Sequence, residues 1–466
     1  MLPADAVESF TFAEISLKMR SIFLIGAGRS SASLIEYLLR HADSDGYRLT
    51  IGDVSEASAS EKAGGHPAAR CIRFDINDAR LRDEEIKAAD LVISLLPAHM
   101  HVPVAEACVR FGKHLVTASY VSPEMLALDT AAKQAGVLLL NECGLDPGID
   151  HMSAMEVIDR IRQQDGELLA FRSYTGGLVA PESNDNPWGY KFSWNPRNVI
   201  LAGQGTARFI EKGNYKYIPY QRLFRQIRKI VVEGAGTFDG YANRDSLSYR
   251  KVYGIENIPT MIRGTLRQEG YCAAWDVFVR LGLTDDSYVL EQSARMTYAE
   301  LVEALLPDGF QGEDLPAQVA ALCDLDPNGR EMDMVRWTGI FEPVTIGLHN
   351  ATPAQALQQL LERRWLLRPS DKDMIVMQHE FEYRADGKSW RQYASLIVKG
   401  KDNRFTAMAQ TVGLPVAIAA RRILAGTISM TGVQVPVVAD IYRPILEELE
   451  ALGIRFSERL EQVTAG

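Results

Sequence analysis

Residues 21–35 read SIFLIGAGRSSASLI, and this stretch decides the fold. An apolar run ends at Gly26-x-Gly28, and apolar side chains then recur at helical spacing from Leu34 onward. This order predicts a strand, a tight glycine turn and a helix, where backbone N–H groups approach a pyrophosphate over the positive end of the helix dipole. The third glycine of the usual fingerprint is absent, because Ser31 occupies its position. Two glycines alone are a weak signal, so the prediction depends on their context.

Five further strand-like runs follow the glycine turn. They lie at residues 49–53, 71–75, 91–96, 114–118 and 137–140, with helical stretches between them. Strands that alternate with helices at this spacing predict parallel βαβ units, and right-handed crossovers then give a doubly wound sheet. We therefore predict an α/β fold with a Rossmann-type dinucleotide-binding domain over residues 19–147.

An acidic residue, Asp53, ends the second strand. A carboxylate at this place accepts hydrogen bonds from a ribose 2′-hydroxyl and repels a 2′-phosphate. Asp53 therefore favours NAD over NADP, although the nearby cations Arg29 and Arg48 keep NADP as an alternative. The competing interpretation of Asp53 is a solvated residue at a strand end. Asp75, at the end of the third strand, is expected near the adenine.

The fourth strand ends at Leu95-Leu96-Pro97, beside the expected path of the nicotinamide. His99 and His101 lie just beyond it. A metal site is not favoured there, since no acids or cysteines accompany the two histidines. His101 is instead expected to line the cleft or to cap the next helix.

A second informative stretch reads NECGLDPGIDH at residues 141–151. It joins the last predicted strand of the first domain to a helix. Asp146 has the character of an N-cap residue, with Pro147 at the first helical position. In open α/β sheets this edge binds ligands. Asp146 is thus a candidate ligand-binding carboxylate; helix capping is the alternative, and one residue can do both.

The rhythm of strands and helices changes after about residue 147. Residues 148–283 together with about 371–399 are predicted to form an α+β substrate-binding and dimerisation domain. Residues 284–370 are predicted to form a small helical insertion. Residues from about 400 to 466 are expected to complete the dinucleotide-binding domain. Residues 1–18 are expected to be a disordered extension; the alternative is that Met19 is the natural start.

Composition narrows the class of protein. The 466 residues carry a formal net charge of -10, which argues against a nucleic-acid partner because phosphate binding needs a concentrated basic surface. The five cysteines form no CxxC pair, so a disulfide framework is not expected and a reducing cytoplasm fits better. No apolar run is long enough to span a membrane, and the first residues do not read as a signal peptide.

Six motifs together resemble the saccharopine reductase family, the glutamate-forming saccharopine dehydrogenases. In chain order they are ASYVSP (118–123), NECGLDPGIDH (141–151), SYTGGLVAPE (173–182), NPWGYKFSW (186–194), YANRDS (241–246) and IRGTLR (262–267). The resemblance covers nearly everything from Met19 onward. It implies a nicotinamide cofactor in a cleft between the domains, and a homodimer. It also implies oxidation of saccharopine to an imine that is hydrolysed to L-glutamate and α-aminoadipate semialdehyde, in lysine metabolism.

The resemblance also implies site residues, position by position. Its substrate contacts fall on Ser119, Tyr120, Asp146, Arg244, Thr265, Leu266 and Arg267. Its cofactor contacts fall on Gly26, Gly28, Arg29, Ser30, Ser31, Asp53, Val54, Asp75, Ile76, Leu96, Pro97, Ser119, Leu145, Asp146, Pro147 and Ser193. Fungal members of the family use NADP and place a basic residue at the end of the second strand. Asp53 departs from that pattern, which points to NAD.

The chemistry of the implied substrate agrees with these residue types. Its carboxylates need guanidinium partners such as Arg244 and Arg267, for which structural salt bridges are the alternative role. Its ammonium group needs a carboxylate such as Asp146. Proton transfer needs a positioned acid or base, and Asp146, Tyr120 and Lys191 are the candidates, with His101 beside them; the sequence does not rank them.

Two motif residues have simpler interpretations. Cys143 lies in the 141–151 stretch without a visible partner base, so a packed structural thiol is favoured over a nucleophile. Tyr190, Phe192 and Trp194 alternate as on one face of a strand, which is more typical of a core or a pocket wall than of a nucleic-acid stacking platform.

Two other functions stay open at this stage. A related imine reductase, of the carboxynorspermidine dehydrogenase kind, should have an acid-lined site, and the pairing of Arg244 with Arg267 speaks against it. A non-catalytic nucleotide-binding protein on the same fold would bind cofactor without turnover, and it would not need the substrate motifs.

Overall fold

The computed structural model describes residues 19–310 and 314–463, so the prediction for residues 1–18 lies outside the described part of the chain. The strands β1 to β16 are, in order, Arg20–Ile25, Tyr47–Asp53, Ala69–Arg73, Leu91–Ser94, His114–Thr117, Leu138–Leu140, Glu167–Val179, Ala207–Glu211, Asn214–Ile218, Arg228–Val232, Gly236–Ala242, Thr260–Gln268, Asp373–Ala385, Lys388–Lys399, Gly432–Gln434 and Ser457–Val463.

The helices α1 to α17 are, in order, Ala32–Asp45, Glu56–Ala63, Ala79–Ala88, His101–Phe111, Pro123–Ala127, Asp129–Gln134, Ile149–Gln163, Pro196–Ile200, Tyr220–Leu223, Tyr249–Val252, Tyr271–Arg280, Tyr298–Leu305, Leu315–Cys323, Arg330–Trp337, Pro353–Arg364, Ala407–Leu424 and Ala439–Ala451. Short 3₁₀ turns cover Arg29–Ser31, Ala98–Met100 and Pro181–Ser183. Within the described residues, none of these helices combines the length and apolar character needed to cross a membrane.

The first sheet is parallel and has seven strands in the order β15-β6-β5-β4-β1-β2-β3. Its central strand β1 buries Ile22 to Ile25 completely, because helices cover both faces of a doubly wound sheet. The predicted order of strands and helices is therefore confirmed. The edge strand β15 comes from the C-terminal segment, as expected for residues that complete this domain.

The second sheet is mixed, and its main path runs β10-β11-β12-β7-β13-β14-β16. Strands β13 and β14 form a hairpin joined at Asp386 and Gly387, which both have positive φ. Two such residues form the tight turn that matches the twist of antiparallel strands. The last strand, β16, pairs with β14 and not with the first sheet. Its mostly exposed, polar residues carry no apolar periodicity that would reveal which sheet it joins.

Two segments of the second domain can be compared with their sequence predictions. Helices α12 to α15 occupy the region predicted to be a helical insertion. Tyr190, Phe192 and Trp194 lie in an irregular segment, so their placement on a strand is wrong. Tyr190 and Phe192 are nonetheless buried, and they belong to an aromatic core with Trp188, Trp275 and Trp365 among others.

Helix α16 packs tightly against the glycine turn of the first domain. A Cβ atom on Gly413 would lie 3.0 Å from the carbonyl oxygen of Ser30 and 3.1 Å from Cβ of Leu34. Such a contact is closer than side chains normally make, so the glycine allows this approach. Helix α16 therefore supports the loop that carries the predicted cofactor contacts.

His379 is a buried titratable residue on β13, where the second sheet meets α7. Its Nε2 atom lies 2.8 Å from the hydroxyl of Ser153, and Nδ1 has no hydrogen-bond partner within the described residues. Burial lowers the pKa of His379 to about 4. The ring is therefore neutral in the folded protein at physiological pH.

Replacing His379 with phenylalanine is expected to reduce the loss of stability in acid. The unfolded imidazole takes up a proton near pH ~6.5, whereas the folded one resists protonation until about pH 4. The stability from keeping His379 neutral is thus complete above pH ~6.5 and is lost as the pH falls towards about 4. Thermal unfolding at about pH 7.5 and about pH 5 measures this. Equal falls in the unfolding temperature of the wild type and His379→Phe would contradict it.

Candidate active site

The glycine turn leaves open space beside its backbone. Gly26 has φ +102°, and a Cβ atom there would lie 3.1 Å from the carbonyl oxygen of Leu95, so a side chain would be strained and crowded. A Cβ atom on Gly28 would meet nothing within 4 Å. The turn runs directly into Arg29–Ser31 and α1, whose first N–H groups have no partner within the helix. This exposed backbone at a helix start fits a dinucleotide pyrophosphate.

Asp53 lies beside the same turn. Its Oδ2 atom accepts the N–H of Ala27 at 2.7 Å, and Oδ1 accepts the N–H of Ser55 at 2.9 Å. Lys62 of α2 donates to the carbonyl oxygens of Ala27 and Gly28. Asp53 is therefore not merely a solvated strand-end residue. It braces the glycine turn and keeps the remaining lone pairs of its carboxylate available for a ribose hydroxyl.

The other predicted cofactor residues have varied surroundings. Asp75 and Pro97 are exposed and Leu96 is half-buried, all at the carboxyl ends of the parallel strands. Ile76 packs in the core, and Val54 is 71% exposed. The side chain of Ile76 is therefore unavailable to a ligand.

Ser119 follows β5 and is hydrogen-bonded to a buried histidine. Nε2 of His101 lies 2.7 Å from Oγ of Ser119, and Nδ1 lies 2.9 Å from Oγ of Ser94. Burial and the neighbouring His99 lower the pKa of His101 to about 4. The neutral ring orients the Ser119 hydroxyl, and it is a poor proton acceptor at physiological pH. His101 is the first residue of α4 and is buried, while the N-cap residue of this helix is Met100, so the predicted capping role falls on its neighbour.

Asp146 belongs to a buried charge cluster that joins the two sheets. Tyr120 donates to Oδ1 of Asp146 at 3.2 Å, and Arg263 of β12 donates to the same oxygen at 2.8 Å. Arg263 also donates to Oδ2 of Asp150 at 2.6 Å. The guanidinium of Arg263 lies over the ring of Tyr249, 4.2 Å from its centroid. Arg263 of the second sheet thus contacts Asp146, which follows β6 of the first sheet, so residues of both domains form this cluster.

The two aspartates of this cluster have opposite pKa shifts. Burial and the charge of Asp150 raise the pKa of Asp146, and Arg263 offsets them only in part. Burial also acts to raise the pKa of Asp150, but His151, Arg263 and the N–H of Gly148 lower it on balance. Asp146 therefore holds a proton more readily than Asp150.

The predicted N-cap role of Asp146 is wrong. Helix α7 begins at Ile149, and its N-cap residue is Gly148 at φ +149°. A Cβ atom at Gly148 would overlap the backbone of Gly144 at 2.0 Å, so only glycine fits this turn. Asp150, not Asp146, satisfies the N–H of Gly148, at 2.6 Å. The carboxylate of Asp146 is free of the helix start and points to Tyr120 and Arg263.

Arg267 is a buried guanidinium without a carboxylate. It is 4% exposed and lies within about 6 Å of three aromatic rings, those of Tyr190, Tyr241 and Tyr271. Its NH1 donates to the carbonyl oxygen of Leu266, and Nε has no partner. No acidic side chain in residues 19–310 and 314–463 forms an ion pair with it. A buried cation of this kind needs an anion.

The remaining predicted substrate residues lie near these two centres. Arg244 is exposed, with its guanidinium 5.4 Å from the ring centroid of Tyr120. Thr265 is half-buried on the face of β12 that carries Arg263 and Arg267, since side chains alternate along a strand. Leu266 is fully buried on the opposite face, so its side chain is not available to a substrate bound beside Arg263 and Arg267.

Lys191 and Cys143 have structural partners. The ammonium of Lys191 is 2.7 Å from Asp371 and 2.9 Å from Asp185. Within the described residues, it forms no hydrogen bond to Asp146 or Tyr120. The thiol of Cys143 is buried against the carbonyl oxygen of Pro415, and burial raises its pKa, which favours the packed thiol over a nucleophile. Ser193 is buried.

Two family models match most of the chain. The saccharopine dehydrogenase NADP binding domain matches residues 22–140, and the saccharopine dehydrogenase C-terminal domain matches residues 144–454. This chain belongs to the saccharopine dehydrogenase family. The family resemblance of the sequence motifs is thereby confirmed.

Relatives of this saccharopine dehydrogenase family member align with nearly the whole of this chain. It is 33% identical to the saccharopine dehydrogenase (NADP(+), L-glutamate-forming) of Schizosaccharomyces pombe, over 95% of this chain and 99% of the relative. It is 33% identical to the mitochondrial alpha-aminoadipic semialdehyde synthase of Bos taurus over 94% of this chain, but covers 47% of that protein.

A solved structure shares the same fold. The apo saccharopine dehydrogenase (L-Glu forming) from Saccharomyces cerevisiae matches with a TM-score of 0.85 and 32% identity, over 95% of this chain and 100% of that chain. The match confirms the α/β fold class with its second, mixed-sheet domain. The family match and the glycine turn together support a nicotinamide dinucleotide, NAD(P), as the cofactor.

Four residues of this buried cluster were not predicted as functional. Glu142, Asp150 and His151 lie inside the stretch that drew attention to Asp146, and Arg263 lies inside the IRGTLR motif. The sequence feature that could have identified them is the high density of charged residues in the motifs NECGLDPGIDH and IRGTLR. What the sequence did not reveal is that these motifs meet across the two sheets.

Proposed function

We propose that this protein is an NAD(P)-dependent saccharopine dehydrogenase of lysine metabolism that forms L-glutamate and α-aminoadipate semialdehyde. One observation carries the proposal: Arg263 and Arg267 share one face of β12, yet Arg263 is neutralised by two aspartates and Arg267 by none. Such a face offers an excess of carboxylate at one end and an unpaired cation at the other.

This division of charge suits a substrate with an ammonium group and several carboxylates. Glu142, Asp146 and Asp150 outnumber the single buried guanidinium of Arg263, so that end favours the amino group of saccharopine. Four residues of strand separate Arg263 from Arg267, about 13 Å at ~3.3 Å per residue. An extended dicarboxylate chain spans such a distance and presents a carboxylate to Arg267.

Oxidation of saccharopine removes a hydride from carbon and a proton from the secondary amine, leaving an imine. A nicotinamide cofactor held at the turn of Gly26 and Gly28 would supply the hydride acceptor. In the proposed mechanism Asp146 takes the amine proton, because its carboxylate lies at the cleft and its pKa is raised. Tyr120 orients that carboxylate by donating to it. Water then adds to the imine carbon, and the carbon–nitrogen bond breaks to give the aldehyde and the amino group of glutamate.

A paired assay tests the proposal. Saccharopine with either oxidised cofactor should give reduced cofactor, together with one glutamate for each hydride transferred. Neither cofactor should be reduced without saccharopine. Absence of turnover with both cofactors would contradict the proposed function, and turnover with a carboxylated polyamine instead would favour the imine reductase alternative.

The finer choice between NAD and NADP rests on Asp53. The relative from Schizosaccharomyces pombe is named for NADP(+), and the matching family domain is an NADP binding domain. A 2′-phosphate next to the Asp53 carboxylate would meet like charge, whereas a 2′-hydroxyl would donate to it. We therefore propose that this chain uses NAD readily, with NADP as the alternative that its relatives favour.

Asp53→Asn is expected to shift the ratio of kcat/KM for NADP to that for NAD upward by about tenfold, which corresponds to ~1.4 kcal/mol. Asparagine removes the charge and keeps an acceptor for the N–H of Ser55 or Ala27. Glu61→Gln removes the same charge from the exposed side of the adjacent helix α2, so it is the control and should leave the ratio unchanged. An unchanged ratio in Asp53→Asn would refute the role of Asp53.

The assembly and compartment are also proposals. The family resemblance supports a homodimer formed through the second domain, which sedimentation at several concentrations tests. All five cysteines are free thiols, which supports a reducing compartment such as the cytoplasm. The division of the chain into a dinucleotide-binding domain, an α+β domain and a helical insertion is tested by limited proteolysis at its boundaries.

A further inference from the structure

Glu142 is a buried carboxylate that connects several segments. It is 5% exposed and has φ +55°, a conformation that non-glycine residues rarely adopt. Its Oε1 atom accepts the N–H of Val121 at 3.0 Å, and Oε2 accepts from His151 at 2.8 Å and from the hydroxyl of Tyr249 at 3.2 Å. Its own N–H donates to the carbonyl oxygen of Ser119 at 3.0 Å.

His151 is the partner of Glu142 on α7. It is completely buried, and its ring lies 5.2 Å from that of Tyr249, centroid to centroid. Nε2 lies 2.8 Å from the Glu142 carboxylate, and Nδ1 lies 2.5 Å from the hydroxyl of Tyr253. Both ring nitrogens are occupied, so His151 has no atom left for a substrate.

These hydrogen bonds hold one turn of the proposed site, Ser119–Val121, in place. Glu142 holds the residues on both sides of Tyr120: Ser119 through its carbonyl oxygen and Val121 through its N–H. Tyr120 itself reaches Asp146 with a 3.2 Å hydrogen bond. A shift of this turn would move Tyr120 relative to Asp146, because the residues on both sides of Tyr120 are held by Glu142.

We propose that Glu142 and His151 are positioning residues: the buried pair clamps the Ser119–Val121 turn to α7 and so keeps Tyr120 and Ser119 aligned with Asp146. This inference rests on the proposed function for the reaction it serves. Glu142 and His151 themselves do not touch the substrate. The pair acts through hydrogen bonds that cross between segments, and Tyr249 extends the same clamp to the second domain.

The kinetic test uses three variants of the full-length protein. Glu142→Leu removes all side-chain hydrogen bonds and should lower kcat/KM for saccharopine by about 100-fold, since a misplaced catalytic group loses that much. Glu142→Gln keeps an acceptor for Val121, and His151→Phe keeps the stack on Tyr249; each should lose about tenfold. The dissociation constants of NADH and NADPH, measured by fluorescence titration, should change by less than about threefold in all three, because Ser119 is the one residue of this turn among the predicted cofactor contacts.

Hydrogen–deuterium exchange provides a readout without catalysis. Exchange should rise in peptides containing Ser119–Val121 and remain unchanged in those of β13 and β14. Glu382→Gln, at a carboxylate of the second sheet paired with Arg172 and Arg391, is the matched control and should leave both the kinetics and the turn's exchange unaltered.

Three outcomes overturn the inference: unaltered kinetics in Glu142→Leu, unaltered exchange in the turn, or a general rise in exchange accompanied by weaker cofactor binding, which marks a purely structural role. Failure of the proposed function is distinguishable, because the wild type would then not oxidise saccharopine while exchange in Glu142→Leu would still report whether the turn is clamped.

Discussion

Arg263→Met is expected to destabilise the protein by about 3–5 kcal/mol, because it leaves two buried carboxylates without their shared cation. Asp150 is 1% exposed, and Asp146 is half-buried beside it. In the variant one of them must take up a proton or unfold its surroundings. Urea-induced unfolding followed by tryptophan fluorescence measures the loss.

A compensating substitution separates charge from packing. Arg263→Met combined with Asp150→Asn removes one stranded charge and should recover a substantial part of the loss, since the two sites are in direct contact. Arg263→Lys keeps the cation but not the planar guanidinium that lies over the ring of Tyr249, so its loss should be intermediate. A loss below about 1 kcal/mol in Arg263→Met, typical of exposed pairs, would show that the cluster does not depend on Arg263.

Arg267→Met is expected to have the opposite effects, with a large loss of activity and no loss of stability. It should lower kcat/KM for saccharopine by about 100-fold, equivalent to ~3 kcal/mol, because a buried cation would no longer meet a substrate carboxylate. Stability to urea should be unchanged or higher, since no acidic side chain of the described residues is left unpaired and methionine adapts to the surrounding tyrosine rings.

Arg263 and Arg267 lie on one face of β12, so each serves as the control for the other. Arg267→Lys keeps a charge but lacks the planar fork, and it should retain only part of the activity. Cofactor affinity should be unaffected by both substitutions at this position. If Arg267→Met lost stability as Arg263→Met does, with little change in the saccharopine kinetics, Arg267 would be a structural cation and the assignment of the carboxylate end would fail.

Much of the fold was predictable because it is encoded locally. The glycine turn, the acid that ends β2 and the alternation of strands with helices all follow from spacing within about 30 residues, and the parallel sheet contains them as expected. The hairpin of β13 and β14 was predictable for the same reason, since its turn residues directly follow an alternating run.

The errors have a common physical origin. Asp146-Pro147 satisfies the local rule for a helix start, yet the helix begins at Ile149 because Gly148 makes the close backbone contact with Gly144. The alternation around Tyr190 suggested a strand, but packing among Trp188, Trp275 and Trp365 holds that segment without a sheet partner. In both cases tertiary packing overrides a local preference.

By itself, the sequence determined the class of fold, the place of the dinucleotide turn, the family and most of the residues that the family resemblance assigns to the site. Only the tertiary structure decided how the charges pair: Arg263 meets Asp146 and Asp150 across 117 and 113 positions of chain, while Arg267, four residues further along β12, meets no carboxylate of the described residues. Periodicity specifies which face of a strand a side chain occupies. Its partner on that face depends on which strands and turns the fold brings together. Burial then raises the free-energy cost of leaving a charge unpaired, so the pairing affects stability.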